Sequence, residues 1–110
     1  MRHIAISGNM TFTTGWKEIE GNNRYLNGFR MDLPFQSALN EELYIVVAQK
    51  PTDKSWFVDL VSDITLRGEI VGNVFPATQG KATLEEALIA AESIIRVLAA
   101  IRGLNVEASR

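Results

Sequence analysis

The order of patterns along the chain, strands first and one long helix last, predicts an α+β domain. It would be an antiparallel sheet of four to six strands in meander order, with a long C-terminal helix packed on one face. Three observations predict it. Residues 84–102 carry apolar side chains at helical spacing behind a capping residue. Residues 43–48, Leu-Tyr-Ile-Val-Val-Ala, form a continuous apolar run rich in β-branched residues. Two turn signals, at residues 51–54 and at Arg67-Gly68, separate that run from two further strand patterns. A chain of 110 residues supports one such domain.

The helix, over 83–102, has the clearest signature. Thr83 and Glu86 have capping-box spacing, and Glu85 and Glu86 place negative charge in the first turn, where the helix dipole favours it. Arg96 and Arg102 lie toward the other end, and Gly103 suits the left-handed position beyond it. Leu84, Ala87, Leu88, Ala91, Ile94, Ile95, Leu98 and Ile101 form an apolar stripe, while Glu85, Glu92, Ser93 and Arg96 take the opposite side. Ile89 and Ala100 fall among those polar residues. Packing on a single sheet needs an arc of about 100° or somewhat more, and this one is nearer 200°. The excess must meet a second layer, the N-terminal segment or another copy of the chain.

The meander covers 43–76. The run at 43–48 reads as a central strand. On the returning strand Trp56, Val58 and Leu60 share one face, and Phe57, Asp59 and Val61 the other. A third strand over 69–75 is expected to end at Pro76. Residues 1–33 suggest short strands and a hairpin turning at Asn27-Gly28, with Gly21-Asn22-Asn23 as a competing turn. Residues 34–42 fit a short helix with Pro34 at its first position. The expected core is Ile45, Val47, Trp56, Val58, Leu60, Ile70, Leu88, Ala91, Ile95 and Leu98.

Short helix, three antiparallel strands and C-terminal helix is an order that resembles the double-stranded-RNA-binding domain. Leu39-Asn40-Glu41 looks like that family's polar helix, and Gly80-Lys81-Ala82 like its second RNA-contacting element. The resemblance implies an RNA-binding layout. That family clusters lysines at the helix start, whereas here Glu85 and Glu86 follow a lone Lys81 and would repel phosphate. The phrase Ala82-Thr83-Leu84-Glu85-Glu86-Ala87 also resembles helix starts in antitoxin-like and phage-encoded inhibitor proteins.

Composition narrows the function classes. Eleven basic and thirteen acidic residues leave a formal net charge of −2, which argues against nucleic acid as a partner. There is no cysteine and a single histidine, so disulfides, zinc–thiolate sites and thiol nucleophiles are excluded. His3 is the sole imidazole available as a general base. Asp59 and Asp63, four apart on one strand, lie about 13 Å apart along it, too far to share a proton or a metal. Trp16, Lys17, Arg24, Tyr25, Phe29 and Arg30 interleave aromatic and basic side chains, with Glu18, Glu20 and Asp32 among them. The acidic excess collects on Asp59, Asp63, Glu69, Glu85 and Glu86. No phosphate loop, nucleophile elbow or zinc-protease helix is present.

These features predict a non-enzymatic protein–protein interaction module, a homodimeric regulator or inhibitor. Its contacts would be Ile89, Ala100, Ile101, Asp59, Asp63, Glu85 and Glu86, with no catalytic, cofactor or metal-binding residue. The alternative is a small-molecule binder or small enzyme whose pocket is lined by Trp16, Tyr25, Phe29, Tyr44 and Trp56, with Asp59 or His3 supplying chemistry. A nucleic-acid-binding domain is the second alternative. The short apolar content before Gly8 predicts no secretory leader, no span reaches membrane length, and a cytoplasmic setting follows as the expectation.

Overall fold

The computed structural model describes residues 2–36 and 40–109. The elements, in chain order, are β1 (His3–Ser7), β2 (Thr11–Gly15), β3 (Lys17–Ile19), β4 (Gly28–Leu33), β5 (Glu41–Gln49), β6 (Trp56–Leu66), β7 (Glu69–Lys81), α1 (Leu84–Ile101) and β8 (Asn105–Ser109). They form a five-stranded antiparallel meander, β3-β4-β5-β6-β7, and a three-stranded sheet, β2-β1-β8. The fold is therefore α+β, as expected. The helix is not the last element, however: the chain returns through β8, which pairs along β1.

β5 is the central strand, and its apolar run is buried on both faces. Ile45 and Val47 enter the main core, while Val46 and Ala48 belong to a second apolar cluster with Val61 on the opposite face. The main core joins Met31, Leu33, Ile45, Val47 and Val58 of the large sheet to Ala87, Ala91, Ile95 and Ala99 of α1. Ile4 and Ile6 of β1 complete it, so the N-terminal strands cover part of the helix's apolar excess. Of the expected core, Ile70 is misplaced: it is 72% exposed on the edge strand. Glu92, expected in solvent, is buried and paired with Arg2, 3.1 Å away.

Local chemistry explains the element ends. The Thr83 hydroxyl accepts from the Glu86 amide at 3.2 Å. At the other end the Gly103 amide donates to Ala100 O and the Leu104 amide to Ala99 O, with Gly103 at φ 69°. That is a Schellman cap, and it needs glycine because L side chains resist positive φ. Arg67 and Gly68, both at positive φ, form a two-residue turn closed by the Leu66–Glu69 pair.

Three local expectations are corrected. Pro76 does not end its strand. β7 runs on to Lys81 past register shifts against Trp56, Val58 and Asp59, and because it is an edge strand a proline can sit in it. Asn27-Gly28 is not a hairpin turn. Ile19 pairs with Gly28, and the chain reverses instead through Asn22, whose side chain accepts from the amides of Arg24 and Tyr25. Gly28 is needed for close approach, since a Cβ there would lie 2.9 Å from Ile19. The short helix over 34–42 is absent among the described residues: 34–36 and 40 are irregular or turn, and Glu41 and Glu42 open β5. Residues 37–39, with Leu39 of the RNA-binding resemblance, lie outside the described residues. That layout therefore lacks its first helix in what is described. Among the described residues no helix is long and apolar enough to cross a membrane.

Ile95 is fully buried between helix and sheet, so Ile95→Ala should lower unfolding stability by about 2–5 kcal/mol in chemical denaturation. Gly103→Ala should cost roughly 1 kcal/mol with the far-ultraviolet spectrum unchanged. A neutral Gly103→Ala would show that the left-handed cap contributes nothing.

Candidate functional site

Side-chain alternation sends one face of the five-stranded sheet into the core and leaves the other facing outward. Register places the outward residues in rows across the sheet. Lys17, Arg30, Val46, Asp59 and Pro76 form one row, and Asp32, Tyr44, Val61 and Val74 the next. Glu42, Asp63 and Gly72 form a third. A cleft of about 390 Å³ opens over these rows, with Tyr25 and Arg24 of the β3–β4 loop at its side and Phe57 at its base. Gly72 helps to open it: a Cβ there would come within 2.9 Å of an Asp63 carboxylate oxygen. A second hollow of about 370 Å³ adjoins it, lined by Asn23, Arg24, Lys50 and Thr52, and the two share Arg24, Phe57, Asp59 and Val74.

Charges inside the cleft are not equivalent. Arg30 stacks on the Tyr44 ring, 3.6 Å from its centroid, and its guanidinium bonds Asp32 at 2.8 Å and Glu42 at 3.5 Å. The Tyr44 hydroxyl donates to Asp63 at 2.8 Å. Burial, then that bond to a carboxylate, pushes the Tyr44 phenol up from 10.0 to about 12. Asp59 differs. It is 8% exposed, and among the described residues no group hydrogen-bonds its carboxylate. Burial raises its pKa above the usual carboxylate value, opposed by the fields of Arg24 and Lys50.

The seven residues expected at an interface do not form one surface. Asp59 and Asp63 line the cleft on the outer face of the sheet. Glu85, Glu86, Ile89, Ala100 and Ile101 are exposed on α1, across the sheet, and Glu85 is engaged by Arg2 at 3.1 Å. The expected aromatic lining is also split. Tyr25 and Tyr44 enter the cleft, whereas Trp16, Phe29 and Trp56 belong to the core side. His3 sits on the small sheet, its ring over Gly15. No cluster of three metal-ligating side chains occurs among the described residues.

Sequence reasoning missed the β6–β7 hairpin as a surface. Leu66, Ile70, Val71, Val74 and Phe75 are all exposed large apolar residues on it, and β7 is an unpaired edge. The signal was present, since apolar residues occur on both faces of a strand that precedes a proline, but it reads equally as a central strand. Phe57 of the cleft was missed for a similar reason, being assigned a face without a depth.

Because the folded state favours the neutral Tyr44 phenol, its contribution to stability is complete below about pH 10 and is lost as pH rises toward 12. Tyr44→Phe should abolish that part of the alkaline decline in unfolding midpoint. An identical decline in both proteins would show that Tyr44 is not held in this way.

The chain matches no protein-family profile, no curated protein and no solved structure.

Proposed function

We propose that this chain is a non-enzymatic protein-interaction module that assembles with a second copy of itself through the edge of β7. The supporting observation is the exposed apolar edge of the β6–β7 hairpin. Such an edge offers unpaired backbone groups and apolar side chains together, which a solvated strand usually avoids.

The hairpin geometry supports a symmetric pairing. In a two-residue hairpin the closing pair is hydrogen-bonded, and bonded and unbonded pairs then alternate. Counting from Leu66–Glu69, the backbone groups of Ile70, Gly72 and Val74 point away from β6. Pro76 is next in that series, where its missing N–H costs the β6 ladder nothing and closes the edge to further pairing. A two-fold axis at Gly72 sets Ile70 of one copy opposite Val74 of the other, twice, with the glycines at the centre. The surface is thus self-complementary, as a two-fold interface requires.

Area agrees. A compact monomer of 12.2 kDa should expose about 6,100 Å². This chain exposes 6874 Å², an excess of about 800 Å², the area one partner contributes to an interface of ordinary size. The exposed Ile89, Val97 and Ile101 of α1 leave further apolar surface, so the expected helix contacts remain candidates for a second partner.

Light scattering at about 100 μM should return a mass near twice 12.2 kDa. Ile70→Lys should return the monomer mass with an unchanged circular dichroism spectrum. A monomeric parent at that concentration would defeat the reading.

A further inference from the structure

We infer that the outer-face cleft is a binding site for a guanine mononucleotide, with Asp59 reading the base and Arg24 and Lys50 receiving the phosphate. The inference does not rest on self-association, because the cleft is formed within a single copy.

The argument starts from Asp59. Asp59 is 8% exposed and lines an open cleft, and among the described residues no group hydrogen-bonds its carboxylate, which is left to solvent in the free protein. A carboxylate accepts bonds at two oxygens, so the group that satisfies it best presents two adjacent donors. Beside it lie the half-buried rings of Tyr25 and Phe57, with the apolar side chains of Val46 and Val61. Apolar and aromatic walls around one acceptor fit a flat heterocycle that stacks and donates. Among nucleobases, guanine places its ring N–H and its exocyclic amine side by side. Adenine sets a ring-nitrogen acceptor next to its amine, and that acceptor would face the carboxylate unfavourably.

The adjoining hollow supplies the second half of the ligand. It shares Asp59 and Phe57 with the cleft but is lined by Arg24, Lys50, Asn23 and Thr52. A ligand with an aromatic donor head and an anionic tail therefore spans two hollows of matching character. The cleft alone, at about 390 Å³, lies within the range of small-molecule sites. Arg24 is placed for this by the turn at Asn22, whose side chain fixes the amides of Arg24 and Tyr25 together. The neighbouring cleft groups already have partners in the chain: Arg30 pairs with Asp32 and Glu42, and Asp63 accepts from the Tyr44 hydroxyl. Asp59 is the acceptor left for a ligand.

The test is calorimetric titration of the full chain with guanosine monophosphate, adenosine monophosphate, guanosine and inorganic phosphate, repeated on the Ile70→Lys protein. Guanosine monophosphate should bind below about 1 mM, with adenosine monophosphate and phosphate at least about tenfold weaker. Asp59→Asn should weaken guanosine monophosphate at least about tenfold and erase the base preference. Arg24→Ala, on an exposed loop, should weaken guanosine monophosphate and leave guanosine unchanged, which keeps the site testable should Asp59→Asn not fold. No binding at 1 mM, equal affinity for the two nucleotides, an Asp59→Asn protein that binds normally, or an Arg24→Ala protein that binds both guanine ligands normally would overturn the assignment.

Discussion

Two-sided burial of the central strand organises this protein. β5 sends Ile45 and Val47 to one face and Val46 and Ala48 to the other, and all four are buried. The first pair forms the core with α1 and the N-terminal strands. The second pair forms a shallower apolar floor with Val61, Tyr25, Tyr44 and Phe57. A sheet covered on one side would leave that floor to water as an ordinary polar face. Here it is apolar enough to desolvate a carboxylate, and that gives Asp59 its unusual environment.

The surface features gather on the β6–β7 hairpin. β6 carries Val58 into the core, Asp59 and Asp63 into the cleft, and Leu66 to the exposed tip. β7 contributes Gly72, which leaves room for the Asp63 carboxylate, and Ile70 and Val74, which stand beside the open edge. An unpaired carboxylate and an exposed apolar strand both work against the stability of an isolated chain. The proposed ligand would meet the first and the proposed second strand the second. On the helix side Arg2 pairs with Glu85 and the buried Glu92, while Arg2 Nε, Glu92 Oε1 and Trp16 Nε1 are buried there without a hydrogen-bond partner among the described residues.

Much of the fold was legible because local chemistry decided it. Thr83 and Gly103 bound the helix, Arg67-Gly68 turns the hairpin, and the run at 43–48 is too apolar for anything but an interior strand. The same rules misled where a residue has two uses. Gly28 reads as a turn glycine but is there for its missing side chain beside Ile19. Pro76 reads as a strand end but is tolerated on an edge. Glu92 reads as a solvated acid until Arg2, remote in sequence, arrives beside it. Half of the cleft was legible: Arg24, Tyr25, Arg30, Tyr44, Asp59 and Asp63 were singled out, but Trp16, Phe29 and Trp56 were grouped with the aromatic residues although they pack on the core side.

By itself the sequence determined the α+β class, the helix with its caps, the central strand and the alternation that sets Asp59 and Asp63 on one face. All of these depend on neighbours within a few residues, where backbone sterics and side-chain period act directly. Tertiary structure alone decided that β8 returns to pair with β1, that β7 is an edge, and that Arg24 and Tyr25 line the same cleft as Asp59. Those outcomes depend on contacts between residues tens of positions apart. Burial and unmet hydrogen bonds are properties of such contacts, and no local pattern of residues contains them.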